Sequence, residues 1–421
     1  MWFFCAWVML PLLLMVISPI NLKMANSYLI LFYILLNIVA FCVGFVLIGI
    51  LEGGRIVNER NLIVGANLKK IIIWGTIFSA TILPVLIYVY TGKSILDLDV
   101  VLDQAAVYAN LADALEGESG IRKVTSLIRG IIAPLTLAVM PLAAFFWPQL
   151  SFPYKITALV VPLTYIVFSA FRGTDKEIGD ILILVLIGVI SRLGYIIRSG
   201  AVVNNKILWR YFLFCIFCIV NFIAIFVARK IERMGGVVEF CLYGNAACFF
   251  PSGVDRNSDI FGFGLAMISS YLVQGYYGLS LAFPLEYSWT WGVGHSQPLQ
   301  VIYGFAGDTK EIYNAGLMAG LKEVGWDDRA VWSSIFPNLA SDIGFAGVPI
   351  FFLIIGIIYA KAWFVLTENA SISAIMTFSI ITILIIYVPA NNQLAQSFDF
   401  YFASIFWTGI FILKRFLYVQ R

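Results

Sequence analysis

Residues 261–284 read FGFGLAMISSYLVQGYYGLSLAFP, and whether this run crosses a bilayer sets the side on which its flanking segments lie. It is apolar enough to count as a candidate span. Yet it holds four glycines, three serines and Gln274, and it closes on Pro284. Groups of that kind need protein rather than lipid around them, so the run reads as a re-entrant or interfacial helix packed within protein.

The rest of the chain demands a membrane setting. Of 421 residues, 61% are hydrophobic and only 12% charged, and mean hydropathy is +0.93. So few charges cannot cover a water-exposed surface. Apolar runs near the roughly 20 residues needed to cross a bilayer recur from end to end. They fall at about 2–20, 27–51, 70–91, 126–147, 155–171, 180–198, 208–228, 346–366, 371–389 and 398–417, with 261–284 as an eleventh. The first has no basic flank or small-residue cleavage site and reads as a retained helix.

An odd count conflicts with charge. The bias of Lys and Arg toward the cytoplasm places Arg55, Arg60, Lys69 and Lys70 inside, with Arg198, Lys206 and Arg210, and with Lys414, Arg415 and Arg421. Eleven crossings cannot satisfy all three groups, whereas ten can. The expected fold is therefore an all-α polytopic membrane protein, one integral domain over 1–421 with about ten (ten or eleven) transmembrane helices and both termini cytoplasmic. Residues 92–125 form a small acidic outer loop, with Asp97, Asp99, Asp103, Asp113, Glu116 and Glu118. Residues 229–345 become one large outer loop, far longer than a connector needs, and so the expected seat of function.

That topology collects polar groups on the outer face. Arg172 and Lys176 lie in FRGTDKEIGD, and Arg229, Lys230 and Arg233 in ARKIERMGG, on the side where the charge bias would not have put them. Either an anionic ligand draws them, since guanidinium groups suit phosphate oxygens, or they meet lipid head groups and the nearby Asp175, Glu177 and Glu232. His295, the only histidine, follows in GVGHS with a titration range suited to a general acid or base. The loop aromatics Tyr271, Tyr276, Tyr277, Tyr287, Trp289, Trp291, Tyr303, Trp326 and Trp332 either stack on sugar faces or form an interfacial belt.

Other chemistries find little footing. One histidine and scattered carboxylates make no metal cluster, and WDDR at 326–329 reads as a solvated turn. There is no phosphate-binding loop, dinucleotide fingerprint or nucleophile elbow, no cofactor is expected, and nucleic acid is not an expected partner. Cys5, Cys42, Cys215 and Cys218 lie in apolar runs as small hydrophobes. Cys241 and Cys248, in CLYGNAAC, would pair if that loop faces an oxidising compartment. A transporter would place charge near the midplane and repeat its halves. Apart from Arg192 the spans are nearly free of charge, and no repeat is visible.

The run SYLVQGYYGLSLAF (270–283) with GVGHS (292–296), then WSSIFPNLASDIGFAGVPI (332–350) and VPANNQLAQS (388–397), resembles the bacterial O-antigen and capsule repeat-unit polymerases. FRG at 171–173 is similar to the Ser-Arg-Gly of the related O-antigen ligases, with Phe171 in place of the hydroxyl residue. The resemblance covers roughly residues 160–400. It implies a GT-C-like membrane glycosyltransferase of the bacterial inner membrane, acting at the periplasmic face on undecaprenyl-pyrophosphate-linked oligosaccharide, with membrane lipids and a chain-length regulator protein as partners. Arg172 and Arg233 would bind the pyrophosphate with help from Arg256, His295 would position or deprotonate the acceptor hydroxyl, and Tyr276, Tyr277 and Trp291 would stack on sugar. Asp342, just before a membrane helix, would either cap that helix or orient a guanidinium, and the structural role is the preferred reading. A ligase acting on finished glycan and a flippase of the lipid-linked unit are the competing readings.

Overall fold

The computed structural model describes residues 1–17, 24, 26–52, 65–97, 107, 120–199, 205–233, 240–241, 248–249, 256–327 and 331–418. Among these residues the regular structure is helical, apart from one short strand pair. The elements run α1 Trp2–Ile17, α2 Ser27–Glu52, α3 Ala66–Thr91, α4 Gly120–Phe146, α5 Phe152–Arg172, α6 Lys176–Arg198 and α7 Asn205–Arg233. The antiparallel strands β1 Phe240–Cys241 and β2 Cys248–Phe249 follow, then α8 Arg256–Ala282, α9 Gln297–Tyr303, α10 Thr309–Ala315 and α11 Leu317–Glu323. The last elements are α12 Ile335–Asn369, α13 Ile372–Tyr387, α14 Gln393–Gln396 and α15 Phe398–Tyr418.

All ten runs read as spans are helices. Seven of them, α2 to α7 and α12, are long and apolar enough to cross a membrane, fewer than the ten expected. The apolar helices α1 and α13 are 16 residues each, about 24 Å at 1.5 Å per residue. Helix α15 is 21 residues long with Asp399 in its first turn and Arg415 in its last. None of the apolar stretch of α7 is buried, with Trp209, Phe212, Leu213 and Phe217 all exposed. A surface of that size and apolarity needs lipid against it.

The run that decides the topology does not double back. Helix α8 is unbroken over 27 residues, about 40 Å long, which corrects the re-entrant form of the expectation. Its polar side chains are enclosed by protein: Ser269, Ser270, Gln274 and Ser280 are buried along with Phe263, Met267, Val273 and Leu279.

Two compact units are built from interleaved stretches of chain. The first comprises Met1–Leu51, Val237–Ala360 and Leu384–Ser397; the second comprises Glu52–Gly236, Lys361–Ile383 and Phe398–Arg421.

The first unit is held by aromatic packing. Phe4 of α1 stacks on Phe41 of α2 at 3.9 Å, and Tyr33 receives Phe283, Phe336 and Phe345 edge-on at 5.5 to 5.7 Å. Such pairs contribute about 0.5–1.5 kcal/mol each beyond the area they bury. The Tyr33 hydroxyl donates to the Phe345 carbonyl at 2.8 Å. A second cluster, Ala282, Leu321, Trp326 and Val331, fixes α11 beneath the end of α8. Helix α12 breaks at Gly344, whose φ of 68° and ψ of 157° suit only glycine, so a short segment carrying Asn338, Ser341 and Asp342 precedes the long apolar stretch.

The second unit is organised by α4, which packs on α3, α5, α6 and α15 and is buried over most of its apolar length. Ion pairs gather at the two ends of its helices. Arg198, in the last turn of α6, meets Glu368 at 3.2 Å, and Lys361 pairs with Glu52. Arg172 and Glu177 pair where α5 ends and α6 begins, one α6 length away. Within this unit, therefore, each short connection keeps its charges with partners from the same end.

Candidate active site

Three sequence motifs, 292–296, 332–350 and 388–397, converge with the C-terminal end of α8 in the first unit. The Ser334 N–H donates to the Gly275 carbonyl at 2.9 Å and the Ile335 N–H to the Val388 carbonyl at 3.1 Å, which ties 270–283 and 388–397 to the start of α12. Asn392 donates to Asn338 at 3.0 Å, and the Gln396 amide reaches the His295 carbonyl at 3.4 Å.

At their centre stands Asp342. Its Oδ2 accepts the His295 backbone N–H at 2.8 Å and faces the ring Nδ1 at 2.6 Å; its Oδ1 accepts the Gly292 N–H at 2.8 Å and the Thr290 hydroxyl. Four donors on a nearly buried carboxylate satisfy both oxygens with charge-assisted bonds, which are shorter and stronger than neutral ones. The loop that supplies them is built for this. Trp291 and Gly292 are left-handed in succession, at φ 57° and 77°, and turn the chain back onto Asp342. Gly294 must lack a side chain, because a Cβ there would lie 2.2 Å from Thr290 Oγ1.

The consequence for His295 is chemical. A carboxylate at Nδ1 holds that nitrogen as the donor and leaves the Nε2 lone pair as the base, the same orienting logic that a buried aspartate supplies in hydrolytic triads. Nε2 has no hydrogen-bond partner among the described residues, and the side chain is 25% exposed. Asp342, read from sequence as a cap, is corrected to the partner of the histidine.

Two indoles flank this dyad. Trp289 and Trp291 lie 4.5 Å apart between ring centroids and are 57% and 71% exposed. The Trp289 N–H donates to the Asp342 carbonyl at 2.6 Å. Tyr276 does not belong with them. It is fully buried with its hydroxyl on the Val8 carbonyl at 2.8 Å, and burial raises its phenol pKa well above the ordinary range. Tyr277 packs on Trp326 at 5.0 Å as part of a core cluster. Both tyrosines serve the core, which corrects their assignment to sugar stacking.

Arg172 and Arg233 lie in the second unit. Arg172 closes α5, which Gly173 caps at φ 63°, and its Nη1 binds Glu177, whose other oxygen accepts the Thr174 hydroxyl at 2.6 Å. Arg172 Nη2 has no hydrogen-bond partner among the described residues. Its guanidinium lies 5.1 Å from both the Tyr90 and the Phe168 ring centroids. Arg122 covers Tyr90 at 5.7 Å and Arg129 covers Phe168 at 5.1 Å. Three guanidinium groups thus alternate with two rings, a stack that sequence reading missed because Arg129 sits in an apolar run. Arg129 pairs with Asp399 at 2.5 Å, and beneath it lies a cavity of about 20 Å³ lined by Ser79, Thr136, Thr164 and Tyr165. The spans are therefore less free of charge than expected. Arg229 and Arg233 each reach Asp175 at 2.9 Å. The Arg256 side chain lies outside the described residues.

Arg172 and Arg233 thus share one short segment through Glu177 and Asp175, while His295 and Trp291 share another unit through Asp342. Cys241 is disulfide-bonded and stands opposite Cys248 in the strand register. Among the described residues no group of three metal-ligating side chains occurs. The chain matches no protein-family profile, no curated protein and no solved structure.

Proposed function

We propose that this chain is a membrane glycosyltransferase that polymerises undecaprenyl-pyrophosphate-linked oligosaccharide repeat units at the periplasmic face of a bacterial inner membrane, yielding O-antigen or capsular polysaccharide. The observation that carries the reading is the His295–Asp342 pair, with Nδ1 held at 2.6 Å and Nε2 without a hydrogen-bond partner among the described residues. A membrane chain with one histidine has used it in the geometry of a general base.

In the proposed reaction the acceptor sugar hydroxyl gives its proton to His295 Nε2. Its oxygen attacks the anomeric carbon of the donor glycan, and the bond from that carbon to the phosphate oxygen breaks. The electron pair leaves with undecaprenyl pyrophosphate. Asp342 stabilises the imidazolium formed, as a buried carboxylate does beside a catalytic histidine. Within the second unit, Arg172 and Arg233 are the candidates for binding a pyrophosphate, since planar guanidinium groups match its oxygens. The guanidinium of Arg172 is planar by its own resonance, and its fork of donors matches phosphate oxygens.

Deletion of the gene, complemented by the wild type or by His295→Ala, tests the reading. Loss of long glycan with core plus one repeat remaining supports polymerisation. Bare core points to a ligase, and lipid-linked repeat units stranded on the cytoplasmic leaflet point to a flippase. Normal glycan ladders with His295→Ala remove the histidine from the reaction.

A further inference from the structure

Asp342 holds more than the histidine. Its side chain binds the Gly292 N–H within the turn that displays Trp291, and its backbone carbonyl takes the Trp289 indole N–H at 2.6 Å. The two rings are therefore fixed by the same residue that orients His295. Trp291 pays for its position, because a bulky side chain at φ 57° is a strained outlier of the kind that persists at ligand clamps.

An indole that anchors a protein in the membrane interface turns its N–H toward the polar head groups. Trp289 has spent its only polar atom inside the protein, so what it exposes is ring face and edge. Along the chain on either side of the pair, Glu286, Ser288 and Gln297 are exposed as well. Exposed aromatic faces in a segment with exposed polar residues suit a pyranose, which offers a C–H face between its hydroxyls.

From this we infer that Trp289 and Trp291 form the subsite that seats the acceptor sugar beside His295 Nε2. The subsite rests on the reading of His295 as the acceptor's base. Asp342 then couples the two tasks: it sets the tautomer of the base and the position of the platform that brings the hydroxyl to it.

The test uses the full-length protein in lipid nanodiscs and, as probe, the oligosaccharide repeat unit freed from its lipid by mild acid. Saturation-transfer NMR is recorded for wild type, Trp289→Ala, Trp291→Ala, Trp291→Phe and His295→Ala. The platform predicts transfer to pyranose C–H protons that falls by at least about tenfold in affinity in both alanine variants, tenfold being the step that about 1.4 kcal/mol produces. Trp291→Phe should retain much of it and His295→Ala nearly all. In turnover, Trp291→Ala should raise KM for the acceptor more than it lowers kcat. Trp291→Gly guards against misfolding, because glycine accepts φ 57° without strain, and should match Trp291→Ala in binding.

Sugar binding unchanged in both alanine variants would overturn the platform. So would quenching of the paired indoles by brominated phosphatidylcholine with no transfer to sugar, which would make them a membrane anchor. Transfer that depends on the indoles while His295→Ala still polymerises would leave the subsite standing and sink the proposed base. A required His295 with no role for the indoles would do the reverse.

Discussion

Asp342 Oδ2 takes the His295 ring nitrogen at 2.6 Å and the His295 backbone N–H at 2.8 Å, so one oxygen fixes both the rotamer and the tautomer of the only imidazole in the chain. Asp342→Asn removes the charge and offers an amide where four donors converge. If Nε2 is the base, this substitution should slow polymerisation on the order of 10²-fold or more, the usual range for a positioned general base. His295→Ala should cost about as much, and the double variant little beyond either single one, because residues acting as a unit are not additive. Initial rates with purified protein and lipid-linked repeat unit check this, with melting temperature recorded beside them.

The turn that presents His295 should be as sensitive as the histidine. A methyl at residue 294 would meet Thr290 Oγ1 at 2.2 Å, and the Thr290 hydroxyl is itself bound to Asp342. Gly294→Ala should therefore cost roughly 1–3 kcal/mol through overpacking and displace the Asp342 network. Gly344→Ala should cost about 1–3 kcal/mol by forcing an L side chain into a glycine-only region. Both proteins should reach the membrane with reduced activity. Wild-type rates at wild-type stability in either one would show that the turn is not required.

How far the sequence could be read depended on the range of the interactions. The ten apolar runs all proved to be helices, seven of them long and apolar enough to cross a membrane, because burial in lipid or protein selects the same residues locally. Their ends shifted where polar residues continue a helix past the hydrocarbon, as in α4, which starts at Gly120 and carries Arg122 and Lys123 in its early turns. His295 stood out because it is unique. Its partner did not, since a carboxylate 47 residues further on reads equally well as a cap. Tyr276 and Trp291 look alike as aromatic loop residues, and only the helical face of α8 sends one into the core while a left-handed turn exposes the other. Arg129 was hidden because its charge is met by Asp399, far along the chain, and nothing local announces the pair.

The cysteines make a separate prediction about oxidation. Cys5, Cys42, Cys215 and Cys218 are free thiols, whereas Cys241 is in a disulfide and faces Cys248 across β1 and β2. In denatured, unreduced protein, alkylation followed by peptide mapping should mark those four. Reduction should then release Cys241 and Cys248 together. If the proposed periplasmic placement holds, expression in cells lacking periplasmic oxidation should leave all six open to label. Alkylation of Cys241 before reduction would contradict this.

The Arg129–Asp399 pair tests whether the arginine stack is structural. Its atoms lie 2.5 Å apart with side chains 18% and 6% exposed, and Arg129 also covers Phe168, the ring it shares with Arg172. Removing either partner strands a charge in a poorly solvated site, which typically costs about 3–5 kcal/mol. Replacing both with apolar residues of similar size removes the desolvation cost along with the attraction and is often near neutral. Arg129→Met and Asp399→Leu should therefore each lower the melting temperature sharply, and the double variant should recover much of the loss. If the double variant recovers stability but not polymerisation, Arg129 acts on substrate as well as on Asp399. Recovery of both would confine its role to holding α4 against α15.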